Sequence, residues 1–211
     1  MTERTERRVP LTRRSRHPRS GGVEGNERLT AMVAALLLVL LFLVGLTVPV
    51  ANAQTRLHVF LGVVVIPPIL LKVASTSWRF VRYYAGSYSY RRKGPPLPLL
   101  RLLGPVIIVL TLVMLASGVG LVIVAPRSMH PQLSQIHHAS FFLWFLVTTV
   151  HVLAHLRETA TFAPRDFLRR SRRQVRGARR RAALTLMSVA VGVVGAVAIL
   201  PYVNNVTIFS H

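Results

Sequence analysis

Long apolar runs separated by short polar and basic stretches dominate this chain. Five stand out, over about 29–50, 57–78, 99–125, 134–156 and 182–203. Each is near or above the ~20 residues that an α-helix needs to cross bilayer hydrocarbon. A soluble chain of this size would instead alternate polar and apolar positions with a period of 3.6 or 2. Open strands cannot satisfy their backbone in lipid. The pattern predicts an all-α integral membrane fold with five transmembrane helices. Residues 1–28 read as a basic, disordered tail, 29–157 as a four-helix membrane bundle, 158–181 as an Arg-rich segment partly helical on the membrane surface, and 182–211 as a fifth helix with a short tail.

Local signals refine the helices. Pro67 and Pro68 lie inside the second run. Their missing N–H groups free the carbonyls of Val63 and Val64 and predict a kink. Arg79-Phe80-Val81-Arg82-Tyr83-Tyr84 reads as an interfacial aromatic and basic collar. Arg91-Arg92-Lys93-Gly94-Pro95-Pro96 reads as a proline-stiffened loop, Pro126 to Pro131 as a short connection, and Pro201 as the end of helix five. Ala51-Asn52-Ala53 resembles a signal-peptidase site, but the apolar run before it exceeds the usual 7–15 residues, which favours a retained first helix.

The formal charge of +21 would suit a nucleic-acid binder, yet its distribution points elsewhere. Eight arginines precede residue 29, six Arg/Lys lie between Arg79 and Arg101, and ten arginines lie between Arg157 and Arg181. The intervening connections carry only Arg56 and Arg127, and the last ten residues carry none. This alternation predicts a multi-pass protein of the cell membrane with its N-terminus in the cytoplasm and its C-terminus outside. The basic loops then set topology and meet anionic lipid, not nucleic acid. The chain has no cysteine, which excludes disulfides, cysteine-ligated clusters and a covalently attached haem.

Candidate chemistry comes from a repeated spacing. His58 and Lys72, His137 and His151, Gly104 and Gly118, and Ala31 and Gly45 are each fourteen positions apart in four different apolar runs. Fourteen helical residues rise about 21 Å and return to within about 40° of the same face. Alternating helix directions then put His58, His137, Gly45 and Gly118 in an outer layer, and Lys72, His151, Ala31 and Gly104 in an inner one. Two donors facing small residues suit a flat porphyrin, with axial ligands on both sides and a ring edge close to a helix backbone. His137 fits this register better than His138, which misses the His151 face by about 140° and reads as an interface residue or a haem-propionate neighbour.

The arrangement resembles the respiratory cytochrome b and ferric-reductase-like transmembrane families over roughly residues 30–157. That resemblance implies a four-helix haem-binding bundle plus a fifth helix, with non-covalent haem b and electron transfer across the membrane. His58 and His137 match the outer iron-ligand positions, His151 one inner position, and Gly45, Gly104 and Gly118 the haem-facing glycines. Lys72 departs from the pattern. A neutral amine there could ligate iron opposite His151, a cation would suit a haem propionate or a quinone oxygen, and a snorkelling side chain would reach the nearer interface. The expectation is one haem, with room for a second. His151 and His155 also share a metal-ligand spacing, but the apolar runs offer no acidic partner for zinc. The chain reads as an electron-transfer subunit of an oxidoreductase, served by a redox partner protein or a quinone, and not as an enzyme alone. The competing reading is a cofactor-free membrane anchor or assembly factor whose basic loops are the working surface. A transporter ranks third, because no intramembrane carboxylate is present for proton coupling.

Overall fold

The computed structural model describes residues 22–50, 55–91, 98–124, 126–166, 168 and 175–203. Among these there is no strand. Six helices follow in chain order: α1 (Gly22–Thr47), α2 (Thr55–Tyr84), the short α3 (Tyr88–Arg91), α4 (Pro98–Val119), α5 (His130–Phe162) and α6 (Ala178–Val203). All but α3 are long and apolar enough to cross a membrane, as the hydropathy pattern predicts, and the protein is multi-pass in a lipid environment. Large apolar side chains such as Phe42, Phe142, Leu146, Leu153, Leu186 and Val194 point outward. In water that exposure would be a liability; in lipid it costs nothing.

Boundaries shift where polar groups find partners. Helix α1 begins at Gly22, inside the stretch expected to be tail. Its first turns are held by an Arg28–Glu24 ion pair of 2.8 Å and by Glu27 facing Arg79 at 4.0 Å on α2. Helix α5 starts at His130 with Pro131 in its first turn, a position where a missing N–H costs nothing. It continues to Phe162, and a 3₁₀ turn over Ala163–Asp166 extends the helical part of the Arg-rich segment. Helix α6 runs through Pro201 to Val203. The Ala51-Asn52-Ala53 stretch, the Arg92 to Pro96 loop, residues 1–21 and His211 lie outside the described residues.

Helix α1 is the hub. It packs against α2 and α5, while α4 pairs with α5 and α6 with α2. Val33, Leu37, Val65 and Ile69 form the buried core of the α1–α2 contact. Polar groups knit the same pair near one end: Asn26 donates to the Ser75 carbonyl (3.0 Å), and Thr30 donates to the Ser75 hydroxyl (3.0 Å). Trp144 of α5 donates its indole N–H to Thr111 of α4 at 2.8 Å.

The fifth transmembrane helix, expected to stand apart from a four-helix bundle, is the principal neighbour of α2. Its buried stripe is Thr185, Ser188, Gly192 and Ala196, small residues at helical spacing that let backbones approach. Gly192 lies directly against the backbone of Val64, so closely that a Cβ would collide with the Val64 carbonyl oxygen. That oxygen is one of the acceptors freed by the proline pair, four residues before Pro68. A Cα–H of glycine on an unclaimed carbonyl is a weak but favourable contact. The proline pair and the position of α6 are therefore parts of one feature.

Candidate functional site

Two cavities are stacked along the bundle. One, of about 170 Å³, is bordered by His58, His137, His138, Gly45, Gly62 and Gly118. The other, of about 270 Å³, is bordered by Lys72, His151, His155 and Ala31. Leu41 and Trp144 border both and form the wall between them. Of the residues at the fourteen-residue spacing, His58, His137, Gly45 and Gly118 border the first cavity and Lys72, His151 and Ala31 the second. Gly104 borders neither cavity: α4 presents Ile107, Ile108 and Thr111 to the Lys72 cavity instead.

His58 stands in the first turn of α2 and His137 two turns into α5. Their ring centroids are 6.4 Å apart, with planes at 89°. Each ring is pinned through Nδ1. The Thr47 hydroxyl, at the end of α1, donates its one hydrogen to the Val44 carbonyl at 2.6 Å. Its 2.8 Å contact with His58 Nδ1 therefore requires the imidazole N–H to donate. His137 Nδ1 lies 3.0 Å from the Met114 carbonyl of α4, which can only accept, so this nitrogen also carries the hydrogen. The Ser117 hydroxyl, 3.2 Å from the same nitrogen, directs its own hydrogen at the Val113 and Met114 carbonyls. The hydrogen-bond network assigns both neutral rings the same tautomer, with the lone pair on Nε2.

The glycines divide by role. A Cβ on Gly118 would stand 3.1 Å from His137 Cε1 and 3.3 Å from Nδ1. Gly118 therefore seats the His137 ring against α4. Gly45 and Gly62 have nothing within 4 Å of a Cβ position and leave the cavity wall open. His138 is exposed, with its ring 6.2 Å from that of His137. The sequence reading missed Thr47, Ser117 and Gly62. Gly62 carries the one signal that was available, since it lies one turn from His58 on the same face.

The Lys72 layer is built differently. Lys72 Nζ donates to the Thr30 carbonyl at 3.1 Å, which ties it across to α1. The His151 and His155 rings lie with centroids 4.7 Å apart and planes tilted at 51°. The Nδ1 of His151 and the hydroxyl of Thr148 are buried without a hydrogen-bond partner. No group of three or more His, Cys, Asp or Glu able to hold a metal ion by protein ligands alone occurs among the described residues.

No family model, curated protein or solved structure matches the chain.

The centroid separation of His58 and His137 would suit a metal held by two imidazoles. With each ligating nitrogen about 2 Å from the metal, rings on opposite sides have centroids roughly 6 Å apart. Ligating histidines as a rule donate their other N–H to a fixed acceptor, which sets ring angle and tautomer. Both histidines meet that condition.

Proposed function

We propose that this protein is a membrane b-type cytochrome, an electron-transfer subunit that holds one haem b between His58 and His137. The observation that carries the reading is the matched pair of pinned rings: two Nδ1–H tautomers, 6.4 Å apart and bordering one cavity. Haem bound there supplies reversible one-electron chemistry. The chain's part is to present two Nε2 lone pairs and fix their angle through Thr47 and Met114. Helices α1, α2, α4 and α5 all contribute residues to the wall of this cavity, which supports the reading.

The Lys72 layer lacks the matched pinning, which supports one haem per chain. The alternation of basic segments supports an N-terminus in the cytoplasm, and a redox partner protein would then dock at one end of the bundle. One observation favours the competing anchor reading: rings 6.4 Å apart at 89° also satisfy an edge-to-face aromatic contact. Absorption spectroscopy separates the two. Protein purified from haem-replete cells should show a Soret band and a sharp reduced α-band, lost in His58→Ala and in His137→Ala and kept in His138→Ala. A colourless wild type would favour the anchor.

A further inference from the structure

The Lys72 cavity has a character of its own. At about 270 Å³ it falls just under the ~300 Å³ lower end of ordinary small-molecule sites. Leu37, Leu41 and Ile69 give it a long aliphatic wall that ends at Trp144. Apart from Thr111, which pairs with Trp144, its polar groups lie on α1, α2 and α5.

Charge decides what those groups can hold. The ionisable side chains on the wall are Glu27, Lys72, Arg79, His151 and His155. One carboxylate stands against two basic side chains, whatever their pairing, and the histidines can only add positive charge. Beside them are two buried polar atoms without a partner, His151 Nδ1 and Thr148 Oγ1. Buried polar groups are almost always satisfied by protein, water or ligand. Hydroxyl, imidazole N–H and ammonium can all donate, and a carboxylate accepts from every one of them. A cavity this size accommodates one alkyl chain beside such a head.

We propose that this cavity binds a single-chain lipophilic carboxylic acid, its head at Lys72, Thr148 and His151 and its chain along Leu37, Leu41 and Ile69. The site is distinct from any haem between His58 and His137: apart from Leu41 and Trp144, which form the wall between the two cavities, a different set of residues lines it. A membrane is itself a reservoir of such acids, and the ligand would enter from the lipid with its head already near the Lys72 end.

The test is equilibrium binding of tritiated palmitate and tritiated hexadecanol to the full chain in neutral detergent, read by scintillation proximity. Palmitate should bind saturably, about tenfold or more tighter than hexadecanol, because a charged head gains a charge-assisted hydrogen bond that the alcohol lacks. Lys72→Met should erase that preference and Lys72→Arg should keep it. Thr148→Val should weaken palmitate about tenfold, as one charge-assisted hydrogen bond is lost. If Lys72→Met aggregates on size exclusion, Ile108→Trp, which fills the cavity from α4, should abolish saturable binding of the acid. Equal binding of acid and alcohol, unsaturable uptake, or full palmitate affinity in Ile108→Trp or in a folded Lys72→Met would overturn the proposal. An absorption spectrum of the same samples keeps the two readings apart: a colourless protein that selects palmitate sinks only the cytochrome.

Discussion

Replacing Gly192 with alanine adds one methyl group at the tightest point of the bundle. The new Cβ would stand 2.9 Å from Val64 Cα and 3.0 Å from its carbonyl carbon, and would overlap the carbonyl oxygen. All three are backbone atoms and cannot rotate away. To restore contacts of about 3.5–4.0 Å, including that to the carbonyl oxygen, α2 and α6 must separate by roughly 1–1.5 Å. Separation strains the stripe of Thr185, Ser188 and Ala196 and uncovers the Val64 carbonyl. Overpacking of this kind costs about 1–3 kcal/mol, and loss of the Cα–H contact about 0.5–1 kcal/mol more. A total near 2 kcal/mol lowers the folded-to-unfolded ratio about thirtyfold. Unfolding in mixed micelles with increasing SDS, followed by circular dichroism, measures it. Gly104→Ala is the control, because a Cβ there meets nothing within 4 Å; it should match the wild type or exceed it slightly, since alanine is the better helix former. Equal stability of Gly192→Ala and Gly104→Ala would refute the argument that α6 is seated on the proline-freed carbonyl.

Other consequences are open to measurement. Thr47→Val removes the acceptor of His58 Nδ1–H while keeping the volume; haem affinity should fall about tenfold to a hundredfold, as for other outer partners of ligating histidines. Ser117→Ala should lose much less, because the Met114 carbonyl still holds His137, and equal losses in both variants would contradict the assigned tautomers. Lys72→His should leave the haem-to-protein ratio at one, since the imidazole would lose the tie to Thr30 and His151 Nδ1 has no acceptor to pin it; a ratio rising to two would show that only a ligand was missing. Reporter fusions at Gly94 and after His211 should respond from opposite sides of the membrane, the former from the cytoplasm; the same side for both would overturn the topology read from the basic segments.

The membrane spans were legible because lipid imposes a long apolar run on any helix that crosses it, and five such runs are present. The two depths were legible for the same reason: rise per residue is nearly constant, so a fourteen-residue spacing fixes depth along an axis. It does not fix direction around that axis as firmly. Fourteen residues leave a residual turn of about 40°, and neighbouring helices settle which face prevails. That is why Gly118 lies against His137 while Gly104, at the matching offset, borders neither cavity. The partners of the histidines were illegible for another reason. Met114 acts through its carbonyl, which every residue has, and Thr47 is one hydroxyl at a helix end. The seat of α6 depended on a backbone oxygen freed in α2 meeting a glycine some 130 residues later, a pairing that only packing reveals.

The central claim is that His58 and His137 bind one haem iron from opposite faces with their rings crossed at right angles. Electron paramagnetic resonance of the oxidised protein at low temperature tests it directly. Crossed imidazole planes leave two iron π orbitals nearly equal in energy, and the low-spin signal then becomes strongly anisotropic, with one large principal g value. We predict that signal at one spin per chain, absent from His58→Ala and His137→Ala. A rhombic low-spin signal would contradict the crossed geometry, and a high-spin signal or no iron signal at all would contradict the bis-histidine site.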